Sequence, residues 1–211
     1  MQESTLIVIR HGETEWNIQG RWQGHNDSPL TNNGIDQAKA AAQAVKSFKT
    51  SALYSSDLGR TIQTAESIVA ETGHTILTDA RLRERHLGIF QGLTIQQMSE
   101  SYPSDYEHFK SGDAEYKVPE GESIRQRYNR SIECINELAS NHPGESIIVV
   151  THGGVLDGFF RYVTGLGLSA PRFYKIWNCG LNIFAKGSNG WALHTFGDVS
   201  HLRNLKTRDD E

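Results

Sequence analysis

The sequence predicts an α/β fold: a three-layer sandwich with a mostly parallel, mixed sheet between helices. Three observations lead there. A short apolar run, Leu6-Ile7-Val8-Ile9, ends at Arg10-His11-Gly12-Glu13, and a second, Ile147-Ile148-Val149-Val150-Thr151, ends at His152-Gly153-Gly154. Continuous apolar strands of this kind belong to parallel sheets covered on both faces. Between them, helical periodicities alternate with short strand-like runs. Near the C-terminus, Leu181 to Ala185 and Trp191 to Thr195 flank Gly187-Ser188-Asn189-Gly190, a hairpin pattern that gives the sheet an antiparallel margin.

In order along the chain, the first strand gives way to a polar, glycine-bearing loop from Thr14 to Asn33, carrying Trp16 and Trp22 and closing at Pro29-Leu30-Thr31. Thr31 suits a helix N-cap, after which Ile35, Ala38, Ala42 and Val45 recur at helical spacing. Ala52-Leu53-Tyr54 reads as a strand. Leu58, Ile62, Ala65, Ile68 and Val69 form a second one-sided helix that stops at Gly73, and Thr75 to Thr78 is a weaker strand. Residues 89–119 break the alternation, mixing Tyr102, Pro103, Tyr106, Phe109, Tyr116 and Pro119 with polar residues, and are expected to form a small cap over the site. Its aromatic side chains suit the insertion's own core better than direct substrate contact. Ser123 with Gln126 fits a capping box, and Ile124, Tyr128, Ile135 and Leu138 follow as a helix leading into the strand before His152. The polar stretch from Arg203 to Glu211 is expected to be loosely held.

At 211 residues the chain is most simply a single domain over 1–211, able to bury roughly 70% of the surface its unfolded form exposes. Charged residues make up 22% and the net charge is −4, which argues against nucleic-acid or anionic-membrane partners. Cys134 and Cys179 form no C-x-x-C and read as packing residues in a reducing compartment. The first strand begins within a few residues of Met1, leaving no room for a signal peptide, and no apolar stretch reaches membrane-spanning length. A cytoplasmic location is expected, with a monomer and a homodimer both open.

The two strand-to-histidine junctions carry the chemistry. Ligands of open α/β sheets bind at the carboxyl ends of strands, so His11 and His152 are expected to meet in one site. The glycine after each histidine admits close backbone approach, and a following helix N-terminus favours an anion. With Arg10 beside His11, that anion is read as a phosphoryl group. Other phosphate chemistries lack their residues: there is no G-x-x-x-x-G-K-[ST], no D-x-D-x-T, no G-x-S-x-G and no H-E-x-x-H, and neither cysteine has the downstream arginine of a cysteine-dependent phosphatase. Gly165-Leu166-Gly167-Leu168-Ser169-Ala170 matches a loose dinucleotide pattern but follows a helix rather than a strand, and is rejected. Histidine remains as nucleophile.

The segment from Leu6 to Asn17, with Arg10-His11-Gly12-Glu13-Thr14-Glu15-Trp16, resembles the signature of the histidine phosphatase superfamily, the phosphoglycerate mutase-like enzymes. Ser55 to Thr61 resembles the family's second phosphate-binding segment, Leu82 to Gly88 its acid segment, and Thr151-His152-Gly153 its third. Pro119 to Ser123 and Gly197 to Leu202 are similar to stretches of the bacterial phosphatase branch often labelled phosphoglycerate mutase B. The resemblance implies that His11 attacks phosphorus and becomes phosphohistidine. It implies that Arg10, Asn17, Arg60, His152 and Gly153 hold the phosphoryl oxygens, with His152 also catalytic, and that Gln23 and Gly24 bind substrate. Glu84 becomes the general acid and base. Glu13 is its rival by proximity, but the resemblance places the acid at Leu82 to Gly88; the acid-phosphatase branch carries an aspartate where this chain has Gly153. No metal and no cofactor are implied. His25, His74, His86, His108, His142, His194 and His201 receive no role.

Hydrolysis and mutase activity share the phosphohistidine and differ in the second acceptor. Mutases of the family carry a longer basic insertion with paired arginines after the acid, whereas between Arg85 and Arg125 this chain has only Lys110 and Lys117, and Leu87 stands where mutases have tyrosine. The expectation is a metal-independent phosphomonoesterase acting on a small phosphorylated metabolite. A 2,3-bisphosphoglycerate-dependent mutase is the alternative, and a non-catalytic binder of phosphorylated ligands ranks third because His11, Glu84, Arg10, Arg60 and His152 are all present.

Overall fold

In the computed structural model, which describes residues 3–207, the two apolar runs lie side by side. The strands are β1 (Ser4–Arg10), β2 (Thr50–Ser55), β3 (Ile76–Thr78), β4 (Ser146–Thr151), β5 (Leu181–Gly187) and β6 (Gly190–Asp198). They form one sheet in the order β3-β2-β4-β1-β5-β6. The first four are parallel, while β1–β5 and β5–β6 are antiparallel, so the expected margin is present. The helices are α1 (Glu15–Ile18), α2 (Asn32–Val45), α3 (Gly59–Thr72), α4 (Ile95–Ser101), α5 (Pro103–Lys110), α6 (Ile124–Asn141) and α7 (Gly153–Thr164).

Because successive side chains of a strand point to opposite faces, each central strand feeds two cores. Leu6, Val8, Ile147 and Val149 pack with Ile132, Ile135 and Leu138 of α6 and with Val155, Leu156 and Phe159 of α7. Ile7, Ile9, Ile148 and Val150 pack with Ala42 and Val45 of α2 and with Ala65 and Ile68 of α3. Those eight strand residues are fully buried, and each contributes about 1.5–3 kcal/mol. Their pairing sets Arg10 against Thr151. A one-residue slip would exchange the two sets between cores and shift the chain beyond β1 by about 3.3 Å relative to that beyond β4.

The helix ends follow local chemistry. Thr31 accepts from Gly34 N at the start of α2, Ser123 and Gln126 form the capping box of α6, and α3 and α7 end at Gly73 and Gly165 with φ of 73° and 72°. Gly165 is thus a helix terminator, in keeping with rejection of the dinucleotide pattern. The segment of residues 89–119 contains α4 and α5 over a small core of Phe90, Met98 and Val118, joined by Leu87 and, from the first loop, Trp22. Tyr106, Phe109 and Tyr116 pack on it, and Phe109 also lines the cleft described below. Cys134 and Cys179 are free and buried in different cores.

Three expectations need correction. The loop from Thr14 to Asn33 contains a one-turn helix, α1, because Thr14 and Asn17 cap each other reciprocally. Ile35 is 39% exposed rather than on the buried face of α2; the helix packs instead through the stripe Gly34, Ala38, Ala41, Ala42 and Val45. The stretch after Arg203 is held as far as it is described. Lys206 O accepts from Asn33 Nδ2 at 3.0 Å and from Gln37 Nε2 at 2.6 Å, and Leu205 packs beside α2. Met1 and Arg208 to Glu211 lie outside the described residues. Among those described, no helix is long and apolar enough to cross a membrane.

Gly34 lets α2 approach the turn that follows His11: a Cβ there would lie 2.0 Å from the Glu13 carbonyl oxygen. Alanine gains about 1 kcal/mol of helix propensity over glycine, but a clash with backbone cannot be relieved by a rotamer change, and overpacking costs about 1–3 kcal/mol or more. Gly34→Ala is therefore expected to lower the unfolding free energy in urea denaturation; unchanged or increased stability would contradict this contact.

Candidate active site

His11 and His152 each occupy the first position beyond a central strand, and their ring centroids are 5.4 Å apart. The backbone holds both. His11 N donates to Thr151 O at 3.0 Å, Asn178 Nδ2 donates to His11 O at 2.8 Å, and Gly12 N donates to Thr64 Oγ1 at 3.0 Å. Gly12 is required by contact, since a Cβ would sit 2.5 Å from Gly34 O.

His11 Nδ1 lies 2.8 Å from its neighbour's carbonyl oxygen, Gly12 O. A carbonyl only accepts, so Nδ1 carries the proton and Nε2 keeps its lone pair. Burial, then the positive fields of Arg60 and Arg10, hold the His11 pKa well below its usual value. Burial and Arg60 do the same to His152, and His11 adds to the effect. Both rings are neutral near pH 7. His152 is fully buried, just behind the residues that line the cleft, and its Nε2 lies 2.9 Å from Ser56 Oγ.

The cleft is about 670 Å³, within the range of small-molecule sites. Arg10, His11, Asn17, Gln23, Gly24, Arg60, Glu84 and Gly153, all named from sequence, line it together. Arg10 Nη1 donates to Ile176 O at 2.7 Å. Arg60 is 1% exposed and donates to Asp27 Oδ1, Asn26 O and Gly24 O at 2.8, 2.9 and 2.8 Å. Gly24 (φ 57°) thereby turns its carbonyl onto Arg60. Asn17 Oδ1 accepts from Thr14 N and Thr14 Oγ1, both at 2.9 Å, which leaves the amide nitrogen as its donor toward the cleft. Gln23 Nε2 donates to Thr14 Oγ1 at 2.8 Å, and its buried Oε1 has no partner among the described residues.

Glu84 is aimed by two backbone donors: Arg85 N reaches Oε1 at 2.7 Å and Gly154 N reaches Oε2 at 2.8 Å. Any side chain at Gly154 would displace it, as a Cβ there would lie 2.4 Å from Glu84 Oε1. Glu13, the rival acid, faces elsewhere: its carboxylate accepts from Thr31 Oγ1 and Asn33 Nδ2 at the start of α2, and it does not line the cleft.

Several residues around the site were missed in the sequence. Ser56 orients His152. Arg130 donates to the carbonyls of Arg81, Arg83 and Glu84 at 2.8, 2.7 and 2.7 Å while forking onto Glu122 at 2.8 Å through both Nε and Nη2. That clamp fixes the Leu82 to Gly88 segment against Pro119 to Ser123, and His25 adds a 2.8 Å contact to Glu84 O. Arg83 bonds Asp57 at 2.6 Å, joining the segment of Glu84 to that of Ser56. The spacing of Ser123 and Gln126 gave a helix start, but nothing local marked Arg130 as more than a surface charge. The count of cations between Arg85 and Arg125 stands, but other segments add to it. The cap between Arg85 and Arg125 supplies only Lys110, yet Arg21, Arg85, Arg127 and Arg161 reach the cleft from other elements.

The chain is similar to several known proteins. The model of the histidine phosphatase superfamily (branch 1) matches residues 6–199. Phosphoglycerate mutase-like protein 4 of Arabidopsis thaliana is 40% identical over 201 residues, covering 93% of this chain and 86% of its own. The metal-independent phosphoserine phosphatase of the same plant is 36% identical over 204 residues, covering 95% and 84%. Among solved structures, Bacillus stearothermophilus YhfR aligns with a TM-score of 0.87 at 32% identity, over 94% of this chain and 98% of that one.

The two buried neutral imidazoles make stability depend on pH. In the unfolded chain a histidine takes up its proton near pH 6.5; His11 and His152, depressed in the native state, do not. Their contribution is complete above about pH 6.5 and is lost as the pH falls toward their native values, at up to about 1.4 kcal/mol per pH unit for each ring. Urea denaturation between pH 7.5 and 5 is expected to show this decline, above the range in which carboxylates titrate. A flat profile would contradict it.

Proposed function

The chain belongs to the histidine phosphatase superfamily, branch 1, and we propose that within it the chain acts as a metal-independent phosphomonoesterase on a small phosphorylated metabolite, through a phosphohistidine formed on His11. One observation carries the reading: a neutral imidazole, its Nδ1 proton committed to Gly12 O, opens onto a cleft that Arg10 and Arg60 also line.

In the first step His11 Nε2 bonds to phosphorus as the ester P–O bond breaks, and the departing oxygen takes a proton from the Glu84 carboxyl. The charge growing on the phosphoryl oxygens meets Arg10, Arg60, Asn17 and the N-terminus of α7 at Gly153, with His152 beside His11. One unit charge near another is worth about 4 kcal/mol at 4 Å and an effective dielectric of 20. Donors already held by Ile176 O, Gly24 O and Thr14 need little reorganisation as that charge develops. In the second step water adds to phosphorus, its proton passes to Glu84, the N–P bond breaks, and inorganic phosphate leaves with His11 neutral again. Glu84 serves both directions because Arg85 N and Gly154 N fix the carboxyl in place. Guanidinium and imidazole donors supply the stabilisation, so no metal is needed. The site is proposed to operate in the cytoplasm.

A phosphate-release assay over a panel of phosphorylated metabolites, with EDTA present, tests the reading. Release is expected from at least one, unaffected by EDTA and reduced by three orders of magnitude or more in His11→Ala. Isomerisation without release would make the chain a mutase, and binding without turnover a sensor. Glu84→Gln is expected to slow alkyl esters by about 10²–10⁴-fold but a nitrophenyl ester far less, since that leaving group needs little protonation. Equal losses would remove Glu84 as the acid.

A further inference from the structure

The two ring nitrogens of His152 are in unlike surroundings. Nε2 lies 2.9 Å from Ser56 Oγ, whereas Nδ1 is buried and has no hydrogen-bond partner among the described residues. Ser56 and His152 are both fully buried. Ser56 is itself pinned in the turn from β2 to α3: its N donates to Val150 O at 3.0 Å, and its carbonyl accepts from Ser55 Oγ at 2.7 Å and from Thr61 Oγ1 at 2.9 Å. The hydroxyl is therefore held at a fixed place beside the ring.

The donors and acceptors around that hydroxyl fix which nitrogen carries the proton. Burial and the field of Arg60 keep the ring neutral, so it has one proton to place. Ser56 Oγ has one hydrogen to give, and His152 Nε2 is the acceptor within reach, because its other contact is with a donor, Leu58 N at 3.4 Å. Were Nε2 protonated, the hydroxyl hydrogen would have no acceptor among the described residues, and Nδ1 would be a buried acceptor with no donor. With Nε2 as the acceptor, the hydroxyl is satisfied and a single group, Nδ1–H, is left over. Each buried polar group without a partner carries the full cost of its desolvation, so the second arrangement is favoured. A donor left over in this way is what an anionic oxygen completes.

We propose that Ser56 is a positioning residue: by donating to Nε2 it locks His152 in the Nδ1–H tautomer and makes the ring a neutral hydrogen-bond donor to the phosphoryl oxygens. This rests on the phosphomonoesterase reading. A ring whose proton already sits on the nitrogen offered to phosphate does not take a second one from the attacking water, which leaves that proton to Glu84. The turn that carries Ser56 also leads into Arg60 at the start of α3, so one segment fixes a phosphate-facing guanidinium and the tautomer of the imidazole beside it.

The tautomer is measured in the resting wild-type chain labelled with ¹⁵N-histidine. Long-range ¹H–¹⁵N correlation spectra near pH 7.5 are expected to show a protonated Nδ1 and an unprotonated Nε2 for His152, assigned by its absence from the His152→Gln spectrum. A protonated Nε2 overturns the proposal whatever the activity. Ser56→Ala is expected to lower kcat/KM for 4-nitrophenyl phosphate by about ten- to a hundredfold, the scale of one hydrogen bond to a charged group, and to move His152 to the other tautomer or to a mixture. Ser56→Thr keeps the hydroxyl and is expected to retain the tautomer and most of the rate. An unchanged rate in Ser56→Ala, or a loss of rate with the Nδ1–H tautomer intact, reduces Ser56 to a packing residue and overturns the proposal. Should the alanine variant not fold, Ser56→Cys, a weaker donor of similar size, takes its place in both readouts. No turnover of any ester by the wild-type chain overturns the phosphomonoesterase reading instead, a failure that the resting spectrum keeps separate from that of the tautomer.

Discussion

The register that sets Arg10 of β1 against Thr151 of β4 is the constraint on which the site depends. Both strands are buried on both faces, so their alternating side chains are committed to two separate cores at once. Slipping either strand would misplace four or more apolar side chains together, and that shared penalty is what fixes the level of the two junctions. The two histidines of the candidate site are the next residue of each strand. His11 and His152 meet there because the hydrophobic cores leave no other alignment, and the turn past His11 is pinned by Gly12 and Gly34 packing backbone against backbone.

Around the imidazoles the fold concentrates positive charge without neutralising all of it. Arg60 is held by Asp27 and by two carbonyls, which positions it while leaving its field across both rings. Burial is the larger cause that keeps the histidines neutral; the arginines strengthen that effect and at the same time make the cleft receptive to an anion. One arrangement therefore serves two ends, preserving a lone pair on His11 and favouring the phosphoryl group that the lone pair attacks in the proposed mechanism. Glu84 is positioned by a different part of the chain, the clamp of Arg130 and Glu122, so the proposed acid and the proposed nucleophile are held through separate contacts.

Much of this was legible in the sequence because it is encoded locally. Apolar runs ending in His-Gly, a threonine before α2, the Ser123–Gln126 box, Gly73 and the glycine-bracketed hairpin each carry their signal within a few residues. What escaped depends on contacts between distant segments. Ser56, Arg130 and Arg127 look like ordinary loop or helix-surface residues until α6, the Glu84 segment and the turn after β2 are brought together. Ile35 satisfied the helical spacing yet faces outward, since small residues on the adjacent stripe let α2 pack more closely. The residues after Arg203 looked too polar to be held, but Lys206 is secured through its backbone carbonyl, which no side-chain pattern can reveal.

The central claim is a covalent bond between phosphorus and the His11 ring in every catalytic cycle. Rapid quenching of the enzyme during turnover of a ³²P-labelled ester measures it most directly. A labelled chain, labile in acid, stable in alkali and carrying the phosphoryl group on His11, is the expected result. Steady hydrolysis with no such adduct, or an adduct that survives acid, would contradict it.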